Sequence, residues 1–65
     1  MLVVYGDEAL NIRKFVSFTK GEDRVILFYL DETRYIVWDF KDNSERDEVY
    51  EKIIEAYGIQ NVLFV

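Results

Sequence analysis

The chain has 65 residues, thirteen acids against eight bases, a formal net charge of −5 at pH 7, and neither cysteine nor histidine. Disulfide staples, thiolate metal sites and thiol catalysis are thereby excluded, along with the commonest zinc ligand and the commonest general base. The acidic balance also argues against nucleic acid or an anionic membrane as a direct partner, because both repel negative surfaces.

The length predicts a single domain over 1–65. A domain this short buries only about 60% of its unfolded surface, so something must supplement its core. No apolar run approaches the roughly 20 residues of a membrane span. The apolar start, Met1 to Tyr5, lacks the basic flank of a signal peptide. These features predict a cytoplasmic protein with no membrane partner.

In chain order, the first expected strand covers about 1–5, and Gly6-Asp7-Glu8 turns the chain. A second strand is expected at about 10–19, with Ile12, Val16 and Phe18 as its clearest apolar positions. The next turn is Lys20-Gly21-Glu22-Asp23, where Gly21 is placed to take a positive φ.

The central feature is a hairpin of two strands at about 24–30 and 35–40, joined by Asp31-Glu32-Thr33-Arg34. Both runs are rich in the β-branched and aromatic residues that fit a pleated surface. Opposing Leu30 to Tyr35 pairs Tyr29 with Ile36, Leu27 with Trp38 and Val25 with Phe40. The helix is then expected on the face carrying Val25, Leu27, Trp38 and Phe40. Opposing Phe18 to Val25 in the preceding turn places Phe15 across from Phe28. The second face becomes Phe15, Ile26, Phe28, Leu30, Tyr35 and Val37, with no helix left to cover it, so that either a dimer or a strongly coiled sheet closing on itself must hide it.

Ser44 reads as a helix N-cap, with Asp47 three residues on. A helix is expected over about 45–57, with Val49, Tyr50, Ile53, Ile54 and Tyr57 on one face. Gly58 ends it. A last short strand is expected at 62–65, pairing with a sheet edge. The predicted class is α+β: an antiparallel meander of four to five strands with one amphipathic helix packed on one face.

Chemistry-bearing patterns are sparse. Asp39, Asp42 and Glu45 are spaced by three, but the calcium-loop pattern is absent, and no metal or other cofactor is expected. The serine and threonine hydroxyls have no histidine to activate them, so no enzyme is expected. Arg13, Lys14, Lys20 and Arg24 form a basic group interrupted by Glu22 and Asp23, which reads as solubilising charge on edge strands. Asp47, Glu48, Glu51 and Glu55 stud the helix, with Arg46 and Lys52 between them.

The layout resembles small β-rich, single-helix open reading frames of bacterial and phage genomes. Leu10-Asn11-Ile12 entering a strand, Asp39-Phe40 closing a hairpin and Ser44-Glu45-Arg46-Asp47 opening a helix carry that resemblance. It transfers no functional residue.

The expected function is a small interaction or regulatory protein. It would form a homodimer through Phe15, Ile26, Phe28, Leu30, Tyr35 and Val37. The alternative is an acidic inhibitor that presents Asp47, Glu48, Glu51 and Glu55 to a basic nucleic-acid-binding protein.

Overall fold

The computed structural model describes residues 2–58. Met1 and the strand expected at 62–65 lie outside them. Five strands and one helix follow in the order β1 (Leu2–Tyr5), β2 (Glu8–Asn11), β3 (Ser17–Lys20), β4 (Val25–Tyr29), β5 (Tyr35–Asp39) and α1 (Asn43–Tyr57). The fold is α+β, as the sequence predicts.

The meander divides into two antiparallel sheets, β1-β2 and β3-β4-β5. Gly6 and Asp7 form a two-residue turn in which Gly6 alone takes a positive φ, 60°. Glycine at the first central position suits the turn whose twist matches the strands beside it. The single strand expected at 10–19 is interrupted. Asn11 caps a 3₁₀ turn over Ile12–Lys14, its side chain accepting from the Arg13 N–H at 3.2 Å. A local side-chain acceptor outcompetes the ladder there, and Ile12 is driven into the core at 3% exposure.

The central hairpin sits one residue from the expected register. Ile26 opposes Trp38, Phe28 opposes Ile36 and Tyr29 opposes Tyr35. Asp31 is the cause. One of its carboxylate oxygens, Oδ1, accepts from the Thr33 N–H (2.9 Å), the Thr33 hydroxyl (3.1 Å) and the Arg34 N–H (2.9 Å). The Leu30 N–H donates to the Arg34 carbonyl at 2.9 Å. The turn therefore spans 30–34, one residue more than expected. Because side chains alternate, that single step exchanges the two faces of β4 relative to Trp38.

The β3–β4 register is also corrected: Phe18 opposes Phe28, and Lys20 opposes Ile26. The turn between them places Asp23 (φ 51°) and Arg24 (φ 69°) in the left-handed region. Gly21 is required for space. A Cβ there would lie 2.6 Å from Val25 Cγ2.

The helix begins two residues before its expected start. Asp42 is the N-cap, its side chain accepting from the Glu45 N–H at 2.7 Å, while Glu45 accepts from the Lys41 N–H at 3.2 Å. Asp42-x-x-Glu45 is a capping pair visible in the sequence, and it prevails over Ser44-x-x-Asp47. Gly58 ends α1 as expected, its N–H reaching the Ile54 carbonyl.

The core lies between α1 and the inner faces of both sheets. Ile12, Ile26, Phe28, Trp38, Phe40 and Ile53 are buried, with Val3, Tyr5 and Leu10 of the first hairpin packed against them. Phe28 is the hub. Its ring lies 5.1 Å from that of Trp38, 5.6 Å from Phe15 and 6.1 Å from Phe18.

Candidate functional site

The six residues expected to share a bare face do not share one. Ile26 and Phe28 are 0% exposed and belong to the core, and Phe15 packs on Phe28. Leu30 is half-buried in the turn. Tyr35 and Val37 point the other way, at 55% and 42% exposure. The helix accordingly packs on the side of Ile26 and Phe28, not of Val25 and Leu27.

An apolar face nonetheless remains on the outside of β4 and β5, bordered by Ser17 and Thr19 of β3. Alternation from the observed register places Val25, Leu27 and Tyr29 of β4 beside Asp39, Val37 and Tyr35 of β5 on that side. The β4 residues are half-buried, and the Tyr29 and Tyr35 rings lie 5.5 Å apart. Val16, 73% exposed, sits at the margin, where Val16, Ser17, Tyr29, Asp31 and Glu32 enclose a shallow depression of about 280 Å³. Val16, Leu27 and Tyr29 are absent from the face drawn from sequence. The alternation within β4 would have shown Leu27 and Tyr29 once the turn length was known.

The helix acids separate into two groups. Asp47 turns toward β3: its Oδ1 accepts from Arg46 Nε at 2.7 Å and lies 3.4 Å from Lys20 Nζ. These contacts hold its carboxyl below the usual carboxylate range, with the Arg46 hydrogen bond the largest cause and the Lys20 charge a smaller one. Arg46 itself is buried. Its Nη1 donates to the Gly21 carbonyl at 2.8 Å and to the Val25 carbonyl at 3.0 Å, fastening α1 to the β3–β4 turn. Sequence reading placed Arg46 only among the helix acids and missed this role. Glu48, Glu51 and Glu55 are exposed, and their spacing of three and four sets them along one strip of α1. Lys52 pairs with Glu48 at 3.1 Å.

A second concavity, about 310 Å³, runs between β1 and α1. Leu2, Val4 and Tyr5 line one wall, and Val49, Ile53 and Ala56 the other. The Tyr5 hydroxyl donates to Glu45 Oε1 at 2.8 Å at one end. That bond, then desolvation, then the Glu45 charge, raise the Tyr5 pKa above its ordinary value.

Of the basic group, Lys20 is engaged with Asp47 and lies 5.1 Å from the Tyr50 ring centre, and Arg24 is 3.4 Å from Asp23. Among the described residues, no group of three acids is arranged to hold a metal ion, and no helix is long and apolar enough to cross a membrane. Trp38 Nε1 is buried without a hydrogen-bond partner. Leaving an N–H unpaired costs about 1–3 kcal/mol. Burying an indole of about 150–250 Å² at about 25 cal/mol per Å² contributes more than that, so burial wins.

Comparison with known proteins finds no matching family model, no matching curated protein and no matching solved structure.

Proposed function

We propose that this chain is a non-enzymatic interaction or regulatory module that self-associates through the outer face of its three-stranded sheet. The observation that supports this is the outward exposure of Tyr35 and Val37 beside Leu27 and Tyr29, with Asp39 the one charge on those two strands' outer side. The absence of cysteine and histidine supports the non-enzymatic part, and the absence of cysteine a reducing, cytoplasmic setting.

The size of the face sets the strength of the contact. The two apolar strands, of five residues each, present roughly 160 Å² of sheet, at about 4.8 Å between strands and 3.3 Å per residue. A standard interface buries about 800 Å² per partner. The dimer is therefore weak and concentration-dependent, with two-fold pairing the simplest arrangement. Each copy carries a charge of −5, so screening by salt strengthens the association.

The test is sedimentation equilibrium of the full chain from about 10 μM to 1 mM, the range of weak contacts. Average mass should rise with concentration, and Val37→Lys should hold it at the monomer value while the fold persists. Monomer mass throughout in the unaltered chain would overturn the reading.

The second reading, an acidic inhibitor, is favoured by the strip of Glu48, Glu51 and Glu55. Lys52 weakens its field by pairing with Glu48. Binding of that kind would be lost with added salt, the opposite of the dimer's response.

A further inference from the structure

We propose that Trp38, Tyr5 and Glu45 form a one-electron relay, which moves an oxidising equivalent from the core indole out to the half-buried phenol. The relay answers soluble one-electron oxidants. It is independent of the self-association surface, which lies on the other side of the sheet.

Three observations carry it. First, Trp38 is 3% exposed, and its Nε1 is buried without a hydrogen-bond partner. Indole gives up an electron readily, and its radical cation normally sheds the N–H proton to a base. Here no acceptor is in place, so the positive charge stays on the ring. An unpaired charge is costly in an apolar interior. The oxidised indole therefore draws an electron from a neighbour.

Second, two rings among the described residues lie against Trp38, Tyr5 at 5.8 Å and Phe28 at 5.1 Å between centres. Phe28 is closer, but a benzene ring holds its electrons far more tightly than a phenol. Tyr5 is the donor. The Tyr50 ring faces the Lys20 ammonium, 5.1 Å from its centre, which opposes loss of an electron there. Tyr29 and Tyr35 belong to the outer side of the sheet.

Third, a phenol surrenders an electron easily only when its proton leaves too. The Tyr5 hydroxyl donates to Glu45 Oε1 at 2.8 Å, so the proton acceptor is already aligned. The same oxygen accepts from the Lys41 N–H at 3.2 Å, which fixes the carboxylate at the helix start. The raised Tyr5 pKa keeps the proton on the phenol until the electron departs.

The step balances. The external oxidant takes one electron from Trp38, and one electron passes from Tyr5 to Trp38. The Tyr5 O–H bond breaks, and its proton forms an O–H bond on Glu45. Indole is restored, Tyr5 becomes a neutral phenoxyl radical and Glu45 a neutral acid. The charge on the core ring is thereby discharged.

The experiment is laser flash photolysis of the full chain. Trp38 is its one tryptophan, so light beyond the phenol absorption edge ionises it in place. Hexaamminecobalt(III) takes up the electron irreversibly. The expected result is decay of the indole radical absorption matched by a rise in phenoxyl absorption. The rate should be independent of protein concentration and slower in heavy water. Tyr5→Phe should abolish that rise and lengthen the life of the indole radical, with Trp38 emission still blue-shifted. Glu45→Gln keeps a hydrogen-bond acceptor but removes the base, and should slow the rise about tenfold or more. The proposal is overturned if the indole radical decays without a phenoxyl rise, or if the rise persists at full rate in Tyr5→Phe. A rate that scales with protein concentration, or that Glu45→Gln leaves unchanged, overturns it equally.

Discussion

Ile26 stands directly across the ladder from Trp38, and that pairing decides which side of the central hairpin becomes core. Two substitutions measure it. Ile26→Val removes one methylene from a fully buried site and should cost about 0.5–1.5 kcal/mol. Val37→Ala removes more carbon from the outward side, yet should stay within about 0.5 kcal/mol. Urea unfolding of both variants checks the order. The reverse order would mean that Val37, not Ile26, faces the helix.

Trp38 should report the same burial optically. Its ring is enclosed by Tyr5 and Phe28, and its Nε1 has no polar partner. Emission should therefore be blue-shifted in the folded chain and move to the free-indole maximum on unfolding. Emission at that maximum in native buffer would remove Trp38 from the core.

The helix start gives a paired test. Asp42→Ala should lower stability by about 0.5–2 kcal/mol through loss of the cap on the Glu45 N–H. Ser44→Ala, which removes no hydrogen bond described at the cap, should stay within about 0.5 kcal/mol. Equal effects would show that the cap is shared between the two residues.

Arg46 fastens the helix to the β3–β4 turn through two carbonyls. Arg46→Leu keeps most of the volume but leaves both carbonyls without their charged donor. It should cost about 1.5–3 kcal/mol. Arg46→Lys should recover only part of this, because an ammonium cannot reproduce the planar fork. Full recovery by lysine would mean that the charge, not the geometry, matters.

Stability should fall at both ends of the pH range. Asp31 and Asp47 are held below the usual carboxylate range, Asp31 chiefly by the Thr33 N–H and Asp47 chiefly by Arg46. The unfolded chain binds protons first as pH falls, so their contribution is present above about pH 4 and is lost below it. Tyr5 is raised by Glu45. Its contribution is complete below about pH 10 and is lost as pH climbs through the raised value. Tyr5→Phe should remove the alkaline loss alone, as followed by thermal melts across pH.

The strands and the helix were legible because Val, Ile, Phe, Tyr and Trp cluster in runs bounded by polar turns. Register was not. Residues 25–30 and 35–38 are apolar at every position, so alternation names no inward side and the turn must decide. That decision rests on one Asp31 oxygen taking three donors, which turn spacing alone does not reveal. The break after β2 has a similar origin in Asn11. Face membership in the candidate site depends on register, so the same unread turn moved Ile26 and Phe28 inward and left Leu27 and Tyr29 outward.

The most direct measurement is an NMR dilution series of the full chain, read residue by residue. Amides of β4 and β5 flanking Leu27, Tyr29, Tyr35 and Val37, with Val16, should shift together as concentration rises, and more strongly at higher salt. Glu48, Glu51 and Glu55 should stay fixed. Shifts confined to those acids, or no concentration dependence up to about 1 mM, would contradict self-association through the outer sheet face.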